Sequence, residues 1–206
     1  MRASAERGVT LVEVAILVVV TLSIMGALAP TMSAVILRAE TTAATTAMSN
    51  IDTQINAILS DMSYTYLNYD GVQNSAQRVN LIVSDGDIPS AVSGTGSATW
   101  QGAVNGTTID FIERHLVTNN PGGNAGNAYP SPTAGAAWHG AYLDNPIDPD
   151  PWGNRYMVNV EYLGPSNNDV VVYSAGPDEE IDSAYTAANF NVITVDDDLF
   201  VIQEAN

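Results

Sequence analysis

Hydrophobic positions fall into three regimes along the chain. The run from Val14 to Leu37 is uncharged and mostly apolar, and it follows a short basic leader and Val9-Thr10-Leu11-Val12-Glu13. That run exceeds the ~20 apolar residues a membrane-spanning helix needs. Next, Ala44, Met48, Ile51, Ile55, Ile58, Met62 and Tyr66 recur at spacings of three and four, one stripe of a helix of period 3.6. The pattern predicts one helix of about 55–60 residues, roughly 80–90 Å at 1.5 Å per residue, stopped at Tyr69-Asp70-Gly71 and prone to kink near Gly26 and Pro30. Beyond it come short elements: a helix over Ser75–Ser84, a helix over Asp110–Val117 capped by Thr107 or Thr108, and a Gly/Asn/Pro loop over 121–132. Alternating, β-branched runs then predict strands at Tyr156–Tyr162, Val170–Ser174, Asn191–Val195 and Leu199–Gln203. The expected fold is α+β: a long N-terminal helix whose amphipathic second half packs on a small antiparallel sheet.

Composition narrows the chemistry. The 206 residues carry a formal charge of −17, with no lysine and no cysteine. Such a balance opposes binding to a nucleic-acid backbone, which needs cationic side chains. It suits either solubility in a salty exterior or divalent-cation binding. The missing cysteines remove disulfides, thiolate metal sites and a cysteine nucleophile. His115 and His139 stand apart with no metal-ligand spacing, and neither a Gly-x-Ser-x-Gly elbow nor a phosphate loop occurs. No enzyme activity is expected. Asp150 reads as a turn residue, Trp152 and Tyr156 as core anchors, and Asn105-Gly106-Thr107 as a formal glycosylation triplet of low specificity.

The apolar front admits three readings. A signal peptide could be cut at Ala27-Leu28-Ala29, but Pro30 would then follow the cut. A plain anchor explains the length but leaves Glu13 near bilayer depth, where a charge costs about 2.5–3.5 kcal/mol. In the third reading Gly8, Val9, Glu13 and Pro30 resemble the processing site, fifth-position acid and helix proline of type IV pilins and type II secretion pseudopilins. That resemblance implies a leader 1–8 cleaved after Gly8 and N-methylation of Val9. It divides the rest into a transmembrane and filament-core helix 9–37, an amphipathic half 38–69, an inserted region 70–155 and a sheet 156–206. It gives Glu13 an intermolecular pairing with a neighbour's new amine, since a carboxylate in an apolar bundle must be paired or protonated.

A second set of residues extends the resemblance to the other end. Trp138-His139-Gly140-Ala141-Tyr142-Leu143 and Asp150-Pro151-Trp152-Gly153-Asn154-Arg155-Tyr156 are similar to the run before the first head strand of major pseudopilins. Tyr173-Ser174-Ala175-Gly176-Pro177-Asp178 and Asp197-Asp198-Leu199 are similar to the two loops of that family's calcium site. The resemblance implies Ca²⁺ held by Asp178 and Asp198, with Asp197 and the Ala175 carbonyl as further ligands. Asp182 lies in the same acidic cluster, and Glu179-Glu180 stand where that family usually has glycines. Ca²⁺ takes six to eight oxygens, which loop carboxylates and carbonyls supply; two solvated acidic turns are the plainer alternative.

The function this implies is the major pseudopilin of a type II secretion system, polymerising as a periplasmic piston. Its partners would be a prepilin peptidase, the inner-membrane assembly platform and minor pseudopilins. A type IV pilin in a surface fibre, or a membrane-anchored calcium module that never polymerises, are the alternatives.

Overall fold

The computed structural model describes residues 10–73, 75–91, 100, 108–131, 135–164, 169–183, 185 and 197–203. Helix α1 covers Leu11–Met62, 52 residues with Pro30 inside. The chain divides after Glu40 into two compact units, and α1 contributes residues to both.

In the first unit α1 is apolar on every side, and Leu11, Ile16, Leu17, Leu22, Met25 and Val35 all stand exposed. The helix is long and apolar enough to cross a membrane. Pro30 brings no N–H to the ladder, so one backbone bond is missing there. The hydroxyls of Thr31 and Ser33 bond back to the carbonyls of Leu28 (2.7 Å) and Ala29 (3.2 Å) around that turn.

In the second unit the expected stripe is the buried face: Ala44, Met48, Ile51, Ile55, Ile58 and Met62 are each at most 2% exposed. The helix stops at Met62, short of the predicted Tyr69-Asp70-Gly71. Ser63 takes a left-handed φ of 53°. Its N–H bonds the carbonyl of Ser60 at 3.1 Å, and the Tyr64 N–H bonds that of Leu59 at 3.0 Å. Those two bonds make a Schellman cap, built here without glycine. Gly71 serves a different purpose: at φ +72° it lies so close to the Asn127 carbonyl that a Cβ would sit 1.9 Å from that oxygen.

Strands β1 (Leu81–Val83), β3 (Ile109–Phe111), β4 (Met157–Val158), β5 (Val170–Ser174) and β7 (Leu199–Gln203) form one sheet in the order β3-β1-β4-β5-β7. Strands β4, β5 and β7 fall on three of the expected runs and join β1, which was not expected as a strand, in an antiparallel core β1-β4-β5-β7, with β5 and β7 in full register from Val170↔Gln203 to Ser174↔Leu199. An additional strand, β3, pairs parallel to β1, so the sheet is mixed. Strands β2 (Ser90–Ala91) and β6 (Glu180–Ile181) make a separate parallel pair.

Three local expectations differ. The Ser75–Ser84 stretch is one 3₁₀ turn at Ser75–Gln77, followed by β1, because Leu81-Ile82-Val83 is a β-prone run buried on both faces. The predicted Asp110–Val117 helix is split between β3 and the short α2 (Ile112–Leu116), with Phe111 rather than a threonine at its N-cap. The first head strand ends at Val158 and passes into a 3₁₀ turn at Val160–Tyr162. Asn191–Val195, Thr107 and Asn105 lie outside the described residues.

Period-two alternation separates two cores. Ile82, Val158, Val170 and Val172 join the α1 stripe with Ile112, Leu116 and Tyr129. Leu81, Val83, Met157, Val171 and Tyr173 face the other way, onto Trp100, Ala175, Ile181 and Tyr185. Trp100 stacks on Tyr173 at 4.9 Å and donates its Nε1–H to the Ser183 carbonyl at 3.0 Å. The sheet is therefore covered on both faces, and the loops at the end of β5 and the start of β7 are brought together.

Candidate metal centre

The site is made where the loop after β5 meets the residues that lead into β7. Ala175 is buried in the second core, and Gly176 turns the chain at φ +69°. A Cβ at Gly176 would fall 2.3 Å from the Asp197 carbonyl oxygen, so only glycine permits this approach of the two loops. Glu179 also has a positive φ, 64°, a conformation that glycine adopts without strain. The Glu179 N–H closes the turn onto the Gly176 carbonyl at 3.3 Å.

Carboxylates fasten the two loops. Asp178 Oδ1 accepts the Glu180 N–H at 2.9 Å, and the Asp178 N–H donates to Asp197 Oδ2 at 3.1 Å. Asp182 follows β6 directly. Asp178, Asp182 and Asp197 each offer a carboxylate oxygen, and these oxygens lie within 4.8 Å of one another. Oxygen-only donors on loops, half-open to solvent, suit a hard cation such as Ca²⁺ far better than zinc or copper.

Asp198 faces elsewhere. It is only 7% exposed. Its Oδ1 accepts the Tyr173 hydroxyl, and its Oδ2 accepts the Ser183 hydroxyl at 2.9 Å and the Asp182 N–H at 3.2 Å. Burial pushes this carboxyl up to about 6 despite those donors, and the Asp182 charge pushes the same way. So three of the expected ligand residues, Asp178, Asp182 and Asp197, share one space, whereas Asp198 supports the loop from behind. Ala175 begins the same loop.

Asp150 is a turn residue, as its sequence context implies. Its Oδ1 accepts the N–H groups of Trp152 (3.1 Å) and Asn154 (2.8 Å), and its Oδ2 accepts the Ser174 hydroxyl at 2.6 Å. That last bond ties the Asp150–Asn154 turn to the end of β5, just before the acidic loop. Tyr156 is a core anchor, and Trp152, partly buried, packs against the same core.

At the other end, Gly8 and Val9 lie outside the described residues. Glu13 forms a capping box that the sequence reading overlooked, although Thr-x-x-Glu is its signature. The Thr10 N–H donates to Glu13 Oε2 at 2.8 Å, and the Glu13 N–H donates to Thr10 Oγ1 at 3.3 Å.

Sequence comparison bears on this head. Residues 118–191 match the family model of type II secretion system protein G. The matched stretch is a little over a third of the chain. It begins just after α2 and runs through β4, β5 and β6, and it includes Asp178 and Asp182 but stops before Asp197. No curated protein and no solved structure matches the chain. The match supports a pseudopilin role in type II secretion.

Proposed function

We propose that this chain is the major pseudopilin of a type II secretion system. The observation that carries the reading is a conjunction. A head with a protein G-like stretch over residues 118–191 is joined to a helix apolar on all sides over its first half. A soluble head gains nothing from such an exposed apolar surface, which must be covered by lipid or by other copies.

In this reading the precursor is anchored by residues 9–37, cut after Gly8 by a prepilin peptidase and methylated on Val9. It then leaves the inner membrane by polymerising through α1, with Glu13 setting the axial register and Pro30 relaxing the helix. Glu13 has two roles to serve, since the same carboxylate caps α1 through Thr10. Ca²⁺ bound by Asp178, Asp182 and Asp197 would supply positive charge to three mutually repelling carboxylates and so hold the β5–β6 loop against the start of β7.

Disrupting the gene in its native host should strand exported proteins in the periplasm, and the intact gene should restore their release. Unchanged secretion with loss of surface fibres would instead identify a type IV pilin.

A further inference from the structure

A cleft opens between the 85–91 segment and the acidic loop, and the function proposed above gives it no task. The segment leaves β1 and is pinned twice. Asp87 donates its N–H to the Gly153 carbonyl and accepts the Arg155 N–H, both at 3.0 Å. Three residues on, Ser90 gives its N–H (3.0 Å) and its hydroxyl (3.3 Å) to the Glu179 carbonyl, where β2 pairs with β6. Between these attachments lies a cleft of about 620 Å³, with Ile88 and Pro89 along one side and Asp87, Asp178 and Glu179 exposed around it. Asn154, only 4% exposed, lines its depth. The Asn154 backbone is fully engaged: its N–H donates to Asp150 Oδ1 and its carbonyl accepts the Asp150 N–H, each at 2.8 Å. Its side-chain amide is not, for the buried Nδ2 finds no acceptor on the protein.

Two unlike demands meet in this cleft. A buried donor without an acceptor is costly, so the depth calls for an oxygen. The mouth calls for the reverse. No Lys or Arg lines the cleft, and among the described residues none of its three carboxylates is in an ion pair. Arg155 feels the charges of Asp85 and Asp87 but stands outside the lining. A bare metal ion cannot answer both demands, because it offers nothing to an N–H. Nor do these carboxylates converge on one point as Asp178, Asp182 and Asp197 do within 4.8 Å. A simple anion would meet three negative charges. A ligand with a carbonyl oxygen, a cation and an aliphatic stem between them satisfies every group. Ile88, 54% exposed, offers that stem an apolar wall.

We propose that the cleft receives a lysine or arginine residue on an extended segment of a different protein. The cation sits among Asp87, Asp178 and Glu179, and the backbone carbonyl accepts from Asn154 Nδ2. A second copy of this chain cannot supply that residue. The sequence has no lysine. Arg78 donates to the Leu163 carbonyl, Arg114 holds Asp110, and Arg155 is half-buried beside Asp87. Arg38 lies within α1, whose carbonyls belong to the helix ladder. Arg2 and Arg7 leave with the leader in the function proposed above.

The probe is N-acetyl-L-arginine N-methylamide, with the citrulline analogue as its uncharged counterpart and guanidinium chloride as the bare cation. ¹⁵N spectra of the full chain in detergent micelles follow the Asp87 and Glu179 amides and the Asn154 side-chain NH₂, in chelator so that Asp178 carries no metal. The arginine probe should move all three signals on one saturable curve, and the citrulline probe should bind more weakly. Guanidinium should leave the Asn154 side chain unmoved. Asp87→Asn should weaken the arginine probe about two- to fivefold. Asn154→Ala keeps the backbone pairing with Asp150, so the melting temperature should hold while the probe weakens about three- to tenfold. Equal binding of the arginine and citrulline probes, an Asn154 side chain that ignores the arginine probe, or full binding by Asn154→Ala would overturn the proposal. So would the same shifts on raising the protein concentration without probe, which would make the occupant a second copy.

Discussion

Replacing Asp182 with asparagine should change the head's stability in opposite directions with and without calcium. Asparagine keeps the shape of the side chain and leaves the backbone N–H that donates to Asp198 at 3.2 Å. It removes one of three charges whose oxygens lie within 4.8 Å of each other. At that separation each like-charge pair costs about 1 kcal/mol in water and about 3.5 kcal/mol at an effective dielectric constant of 20. The cluster is half-open, so the low end applies, and relieving two pairs should stabilise the metal-free head by about 1–2 kcal/mol. With calcium the order reverses. A ligand at a hundred times its dissociation constant stabilises the native state by about 2.7 kcal/mol, or roughly 5–10 °C in a head of this size. Asp182→Asn should lose most of that gain. The assay is thermal unfolding followed by circular dichroism, in chelator and in millimolar CaCl₂. A variant less stable than the parent in chelator, with an undiminished calcium shift, would refute the placement of Asp182 in a metal site.

Three further outcomes follow from the geometry. Asp150→Ala strips the acceptor from Trp152, Asn154 and Ser174, and urea titration should show a loss of about 2–4 kcal/mol, since buried donors left unpaired each cost about 1–3 kcal/mol. Asp198 has a folded pKa of about 6, above its ordinary value of 3.8; its protonated form therefore favours folding. In chelator that contribution should be complete below the ordinary value and vanish as pH rises through about 6, and Asp198→Asn should flatten this part of the melting-temperature profile. Glu13→Gln keeps an acceptor for the Thr10 N–H but removes the charge, whereas Glu13→Ala removes both. If the acid sets axial register, both variants should be processed and membrane-bound yet assemble poorly in a shearing assay. If it only caps α1, Glu13→Gln should assemble normally.

How much of this was legible in the sequence depends on which atoms each signal involves. The α1 stripe was readable because six apolar residues on one face need only periodicity to find their core. The end of α1 was not, because Ser63 took the left-handed position that a reader assigns to glycine. Strand β3 was hidden because Ile109-Asp110-Phe111 continues without a break into Ile112-Glu113-Arg114-His115-Leu116, and an apolar pattern that short fits strand and helix equally. Asp178 and Asp197 were placed by resemblance to two known loops. Asp182 and Asp198 differ by the direction in which each loop delivers its side chain, and neighbouring acids give no parity from which to read it. His115 was read as a lone histidine, since its buried partners Asp110 and Tyr129 come from two other segments. Aspartate followed by arginine four residues on, at Asp110 and Arg114, was the one local signal available.

The account stands on a front helix made to be processed and then bundled with copies of itself. Intact-mass analysis of the protein taken from its native membranes and sheared filaments tests this most directly. A mass that begins at Val9 with one added methyl group, found in polymerised material, is the result expected. A chain that still begins at Met1 and sediments as a monomer in detergent would contradict it.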